Sequence, residues 1–159
     1  MTDPQEAAAE FFRQAYEMQM AGDYARAIEL YTRSLELFPT AEAYTFRGWA
    51  YSYLGNYQRA IEDCLQAIQV DPDFGNPYND IGAYLIEQGK WDDAVPWLEK
   101  AKTSPRYEAR GYPHFNLGRV YEHKHDFARA QRCYAAALAA DKRYLAALAG
   151  VRRLRAMFN

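Results

Sequence analysis

Large and small apolar residues return along this chain at i, i+3, i+4 and i+7, as in Tyr78, Ile81, Gly82 and Leu85, which marks one packed face of a helix. The same pattern recurs in register. Ala27, Ala60, Ala94 and Ala130 are spaced by 33, 34 and 36 residues. Twelve residues before each stands a small residue, Ala15, Gly48, Gly82 or Gly118, and nine before a large one, Met18, Tyr51, Leu85 or Tyr121. Three before each is an aromatic, Tyr24, Tyr57, Trp91 or Phe127, and seven after each a small residue, Ser34, Ala67, Ala101 or Ala137. Small residues where helices cross let two backbones approach, and large neighbours fill the grooves between them. Gly22, Gly55 and Gly89 fall five residues before their alanines, where a left-handed residue ends one helix and returns the chain as an antiparallel partner. Asp23, Asn56 and Asp126 then suit the start of the next helix, and Pro39 and Pro72 end second helices of two units.

A period near 34 with this residue pattern resembles the tetratricopeptide repeat. The second unit carries the resemblance most fully, from Tyr44, Gly48 and Tyr51 through Ala60 and Ala67 to Asp71–Pro72, and the third is similar, with Ile81, Gly82, Gly89, Trp91 and Ala94. The resemblance covers roughly residues 8–144 and implies an all-α fold: an α-solenoid, coiled as a right-handed superhelix, of four antiparallel helix-turn-helix units plus a capping helix. The expected boundaries are a lead at 1–7, units at 8–40, 41–74, 75–110 and 111–144, and a capping helix at 145–159. Four departures stand out. Pro96 lies near the first turn of a second helix and predicts a mild adjustment. SPRYEARGYP predicts a longer connector between the third and fourth units. His125 replaces the turn glycine and predicts strain there. Arg152 occupies the place of the small residue in the last helix.

Composition narrows the function. Half of the 159 residues are hydrophobic and 14 are Tyr, so core material is ample. The net charge of −2 favours no polyanion. The start MTDPQEAAAE carries an acid and a proline where a secretory signal has basic residues and an apolar run. No apolar stretch reaches the roughly 18 residues needed to span a bilayer, so the chain reads as soluble and cytoplasmic. Nucleotide-binding, zinc-protease and hydrolase motifs are absent, and His123 and His125 are spaced wrongly for helical metal ligands. Glu62–Asp63 and Asp92–Asp93 read as exposed acids early in second helices. Cys64 and Cys133 lie two units apart and are expected to be packed free thiols. No cofactor, metal or catalytic residue is expected; the chain is read as a non-enzyme.

The resemblance implies that first helices line the concave face and that ligands lie there. With packing at unit positions 4, 7, 8 and 11, positions 2, 5, 9 and 12 point away from it. The candidate groove for a protein or peptide ligand is Phe12, Tyr16, Trp49, Tyr53, Asn79, Ile86, Phe115, Asn116 and Arg119, with Trp49 as anchor. Glu42, Thr45, Ser52, Gln19 and Glu122 share these positions, and Phe46 and Asp80 adjoin them. A solvated helix face is polar, so aromatics here indicate a partner or a packed neighbour. Co-chaperones of the family grip a terminal carboxylate with Lys, Asn and Arg at places that here hold Phe12, Tyr16, Phe46, Asn76 and Asp80. That clamp is therefore excluded. NPYNDIGAYL with its longer connector is also similar to bacterial pilus-assembly tetratricopeptide lipoproteins. The leading reading is a scaffold or adaptor that binds a peptide or helix in the groove. The alternatives are a self-assembling module that forms homo-oligomers, and an accessory subunit of an RNA- or membrane-associated machine. The last would act through the basic final helix (Lys142, Arg143, Arg152, Arg153, Arg155).

Overall fold

A computed structural model describes residues 3–158, which form nine helices. They are α1 (Pro4–Met20), α2 (Tyr24–Leu37), α3 (Ala41–Tyr53), α4 (Tyr57–Val70), α5 (Asn76–Glu87), α6 (Trp91–Lys102), α7 (Gly111–His123), α8 (Phe127–Ala140) and α9 (Leu145–Phe158). The first eight pair as α1/α2, α3/α4, α5/α6 and α7/α8, each pair packs on the next, and α9 closes the stack against α8. The odd-numbered helices also touch one another, α1 with α3, α3 with α5 and α5 with α7, and so form one continuous inner layer. The first helix reaches back into the expected lead: Pro4 opens it, and the Asp3 carboxylate accepts from the Gln5 backbone N–H at 3.3 Å.

Each hairpin turn repeats one device. Gly22, Gly55 and Gly89 have φ of 86°, 78° and 75°, and His125 takes the same left-handed conformation at 62°. The next residue caps the following helix in three of the four units. Asp23, Asn56 and Asp126 accept from the backbone N–H of Arg26, Arg59 and Arg129 at 3.1, 3.1 and 3.2 Å. In the third unit Lys90 supplies no side-chain cap, and Asp92 and Asp93 in the first turn offset this through the helix dipole. Pro96 sits inside α6 without interrupting it.

The small residues mark the closest helix approaches. A Cβ on Gly48 would stand 2.9 Å from the Ala60 carbonyl oxygen, and one on Gly118 would stand 2.6 Å from the Tyr134 ring. In α9 the close approach is to the preceding helix α8: a Cβ on Gly150 would meet the Tyr134 ring at 2.7 Å, and Arg152 is exposed. α9 begins at Leu145, one period of 34 after Gly111 of α7, so Arg152 holds the place of Gly118 but crosses no second helix among the described residues. Arg153 fastens α9 to α7, donating to both carboxylate oxygens of Glu122 at 2.9 and 2.7 Å, so this cation of the basic helix is engaged internally.

Two further expectations need correction. Asp63 is buried, not exposed: it accepts from Arg47 Nε and a terminal guanidinium nitrogen at 2.8 and 2.7 Å, while Arg47 also donates to the Thr32 hydroxyl at 3.1 Å. This bidentate pair ties α2, α3 and α4 together. The connector at 103–110 is no loose loop. Arg106 N–H donates to the Asp73 carbonyl and Gly75 N–H to the Arg106 carbonyl, both at 3.0 Å. The Arg106 guanidinium reaches Asp71 and Glu42 at 2.7 and 2.8 Å, and Tyr107 packs directly over Gly75. Cys64 is buried and Cys133 half-buried, and both are free thiols.

Candidate functional site

An aromatic run crosses the inner layer from α1 to α3. Phe12 meets the Phe46 ring at 5.5 Å and Tyr16 meets it at 6.0 Å, both edge-on. Phe46 touches Trp49 at 6.0 Å, and Trp49 touches Tyr53 at 5.6 Å. Tyr53 then stacks on Tyr24 at 4.6 Å. These spacings follow from i, i+3 and i+4 steps along α3, which keep Phe46, Trp49 and Tyr53 on one stripe. The stripe is partly open: Tyr16 is 43% and Tyr53 54% exposed, and Trp49 is half-buried.

Between α3 and α5 this stripe borders two clefts. One, of about 320 Å³, is lined by Thr45, Phe46 and Trp49 from α3, by Asn76, Asn79 and Asp80 from α5, and by Tyr107 and Tyr112. The other, of about 300 Å³, is lined by Trp49, Ser52, Tyr53, Tyr57, Asp80, Ala83, Tyr84 and Glu87. Trp49 and Asp80 border both, so the clefts form one groove with that pair at its middle. Burial pushes the Asp80 carboxyl up to about 7, and the neighbouring Asn79 amide offsets part of the rise. The Tyr84 phenol is also raised, chiefly by burial and next by Asp80.

Three candidates behave as a brace, not as free binding groups. Asn116 Nδ2 donates to Asn79 Oδ1 at 3.1 Å, Arg119 donates to Asn116 Oδ1 at 3.3 Å, and Arg119 also reaches Glu87 at 3.2 Å. Both asparagines are buried, and the chain of contacts fixes α5 against α7. Phe115 lies apart from the clefts, against Tyr134 and Tyr144 at 5.6 and 5.0 Å.

Ile86 does not belong to the groove. It is 3% exposed and packs with Ala94, Leu98, Leu117 and Val120. The reason is angular: position 12 lies four residues after the small crossing residue, about 40° round the helix from it. It therefore faces the second helix. Gln19 confirms this, buried and accepting from the Tyr31 hydroxyl at 2.7 Å, as does Glu122, which accepts from Tyr134 at 2.6 Å. Where the second helix offers Leu98 instead of a tyrosine, position 12 is apolar. Thr45 lines the groove, yet it is 2% exposed and its hydroxyl donates back to the Ala41 carbonyl at 2.7 Å.

Sequence reasoning left out of the site Asp80, Tyr84 and Tyr107. Asp80 was signalled by an acid on an inner helix at a position beside the groove face. Tyr84 is one residue from positions assigned to packing. Tyr107 sits in the connector, where no helical period applies, and only its aromatic character within a breaker-rich segment hinted at a role.

Models of the tetratricopeptide repeat match residues 41–74, 78–104 and 111–144. The chain is similar to Small glutamine-rich tetratricopeptide repeat-containing protein 2 of Mycosarcoma maydis, with 38% identity over 81 residues. That match covers 50% of this chain and 23% of that protein. Heat shock protein STI1 of Saccharomyces cerevisiae is 30% identical over 96 residues, covering 59% of this chain and 16% of that protein. The chain thus spans less than a quarter of the length of these relatives. In fold it is similar to pilF of Pseudomonas aeruginosa, with a TM-score of 0.88 at 20% identity over 96% of this chain and 69% of that one. PilW, a type IV pilus biogenesis factor, gives 0.84 at 22% identity over 94% of this chain and 69% of that one. At such identities the likeness concerns fold alone.

Proposed function

As the chain belongs to the tetratricopeptide repeat family, we propose that it is a non-catalytic adaptor that binds a peptide segment of a partner protein in the groove between α3 and α5. The observation that carries this reading is the aromatic stripe Phe46–Trp49–Tyr53 opening onto two adjoining clefts on the inner layer. A helix face turned to water is ordinarily polar, and an apolar concavity with a few polar groups is the usual form of a binding site. Trp49 is central, half-buried and shared by both clefts, which suits the anchoring role that tryptophan often plays in interfaces. The places that hold the Lys, Asn and Arg clamp residues in co-chaperones carry Phe12, Tyr16, Phe46, Asn76 and Asp80 here, so a terminal carboxylate is not the expected ligand despite the match to a heat shock protein.

The test is selection of binders on the full chain from a library of short N-acetylated peptides of random sequence. Selected peptides should lose roughly tenfold or more in affinity to Trp49→Ala, with the thermal midpoint kept. Binding indifferent to Trp49→Ala would place the site elsewhere and refute the groove.

A further inference from the structure

Neither cleft is lined by a lysine, an arginine or a histidine. Two acids, Asp80 and Glu87, line them instead, and they differ in one respect. Glu87 is paired with Arg119 at 3.2 Å, whereas Asp80 has no ion-pair partner among the described residues and only the neighbouring Asn79 amide beside it. Arg47 of α3 and Arg119 of α7 are committed elsewhere, Arg47 to Asp63 and Arg119 to Asn116 and Glu87. A partly buried carboxylate without a cation beside it is costly, so its place at the middle of an open groove calls for a counter-charge from outside.

A second, independent feature points into the same place. The hydroxyl of Tyr84 is buried and has no hydrogen-bond partner among the described residues, although Tyr84 lines the cleft and is only 6% exposed. A buried phenol normally finds a partner. Around these two groups stand the rings of Phe46, Trp49, Tyr53 and Tyr57, whose negative π-faces attract cations.

We propose that the centre of the groove takes a basic side chain of the bound peptide, arginine before lysine, which pairs with Asp80 and lies against Trp49. The inference rests on the peptide-binding reading above and names the chemistry of its ligand. Arginine is favoured because its guanidinium is planar, weakly hydrated and able to stack on an indole while donating to a carboxylate and a phenol at once. The raised carboxyl of Asp80 agrees with this, since a bound cation supplies the stabilisation that burial removes.

The same N-acetylated library decides the matter, because blocked termini leave side chains as the only cations. Selected peptides should share a fixed arginine or lysine. Replacing that arginine by citrulline, its neutral analogue, should weaken binding by about 30-fold or more. Asp80→Asn should weaken the arginine peptide by a similar factor and leave the citrulline peptide unchanged, so the two losses should not add. The citrulline comparison uses the unaltered protein and stands even if Asp80→Asn perturbs folding. Peptides that depend on Trp49 but carry no fixed cation, or whose affinity ignores both neutral replacements, would overturn this inference while leaving the groove intact. Binding that ignores Trp49→Ala as well would overturn both.

Discussion

His125 offers a clean measure of what the turn conformation costs, because three glycines occupy the equivalent position. A non-glycine residue at φ near 60° carries a penalty of about 1 kcal/mol or somewhat more. His125→Gly removes that penalty. It also removes the edge contact between His125 and the Phe127 ring at 5.6 Å, worth about 0.5 kcal/mol, and lets the unfolded chain explore more conformations. The last effect is worth about 0.4–1 kcal/mol, so the three nearly cancel and the net change should stay within about 0.5 kcal/mol, a shift of at most roughly 1–2 °C in a chain of this length. The reverse change is the stronger test. A Cβ added at Gly55 would meet nothing within 4 Å, so Gly55→Ala carries only the backbone cost and should lose about 1–2 kcal/mol. Urea melts followed by circular dichroism measure both. A Gly55→Ala variant as stable as wild type, or a His125→Gly variant clearly less stable, would refute the view that these turns are set by the left-handed residue.

Removing Asp63 should leave the Arg47 guanidinium without its buried partner, so Asp63→Ala should cost about 3–5 kcal/mol, while replacing both by apolar residues of similar size should cost far less; denaturant titration separates the two. The Asp80 carboxyl, near 7 when folded against about 4 unfolded, binds a proton more tightly in the native state, so stability should fall as pH rises through that window. Asp80→Asn should therefore be more stable than wild type at pH 8, by about 1–2 kcal/mol given water access to the cleft, and nearly equal to it below pH 4; parallel melts at both ends reveal whether the slope is lost.

The solenoid was legible because its determinants are local and repeat: a turn glycine, a capping acid or amide, and a small residue where helices cross, as at Gly22, Asp23 and Gly48. What escaped was non-periodic. Ile86 and Gln19 look groove-facing when positions are counted in turns, but each lies close in angle to the crossing residue and turns toward its own second helix. Asp63 stands midway along α4, where the sequence reads as an ordinary surface acid, and only Arg47, 16 residues earlier on another helix, explains its burial. In the site, Trp49 and Tyr53 followed from helical spacing, whereas Tyr107 reached the groove through a connector whose path depends on backbone bonds to Asp73 and Gly75.

The most direct test of the groove is the accessibility of Trp49 in a Trp91→Phe, Trp97→Phe background, where it is the sole indole. Acrylamide is the suitable quencher, since an anion would be repelled by the acids lining the clefts. Half-buried Trp49 should be quenched in the free protein, and saturating the protein with a library-selected peptide should sharply reduce that quenching and shift the emission to the blue. A peptide that binds with unchanged affinity in this background, yet leaves the quenching and emission of Trp49 unaltered, would contradict the account.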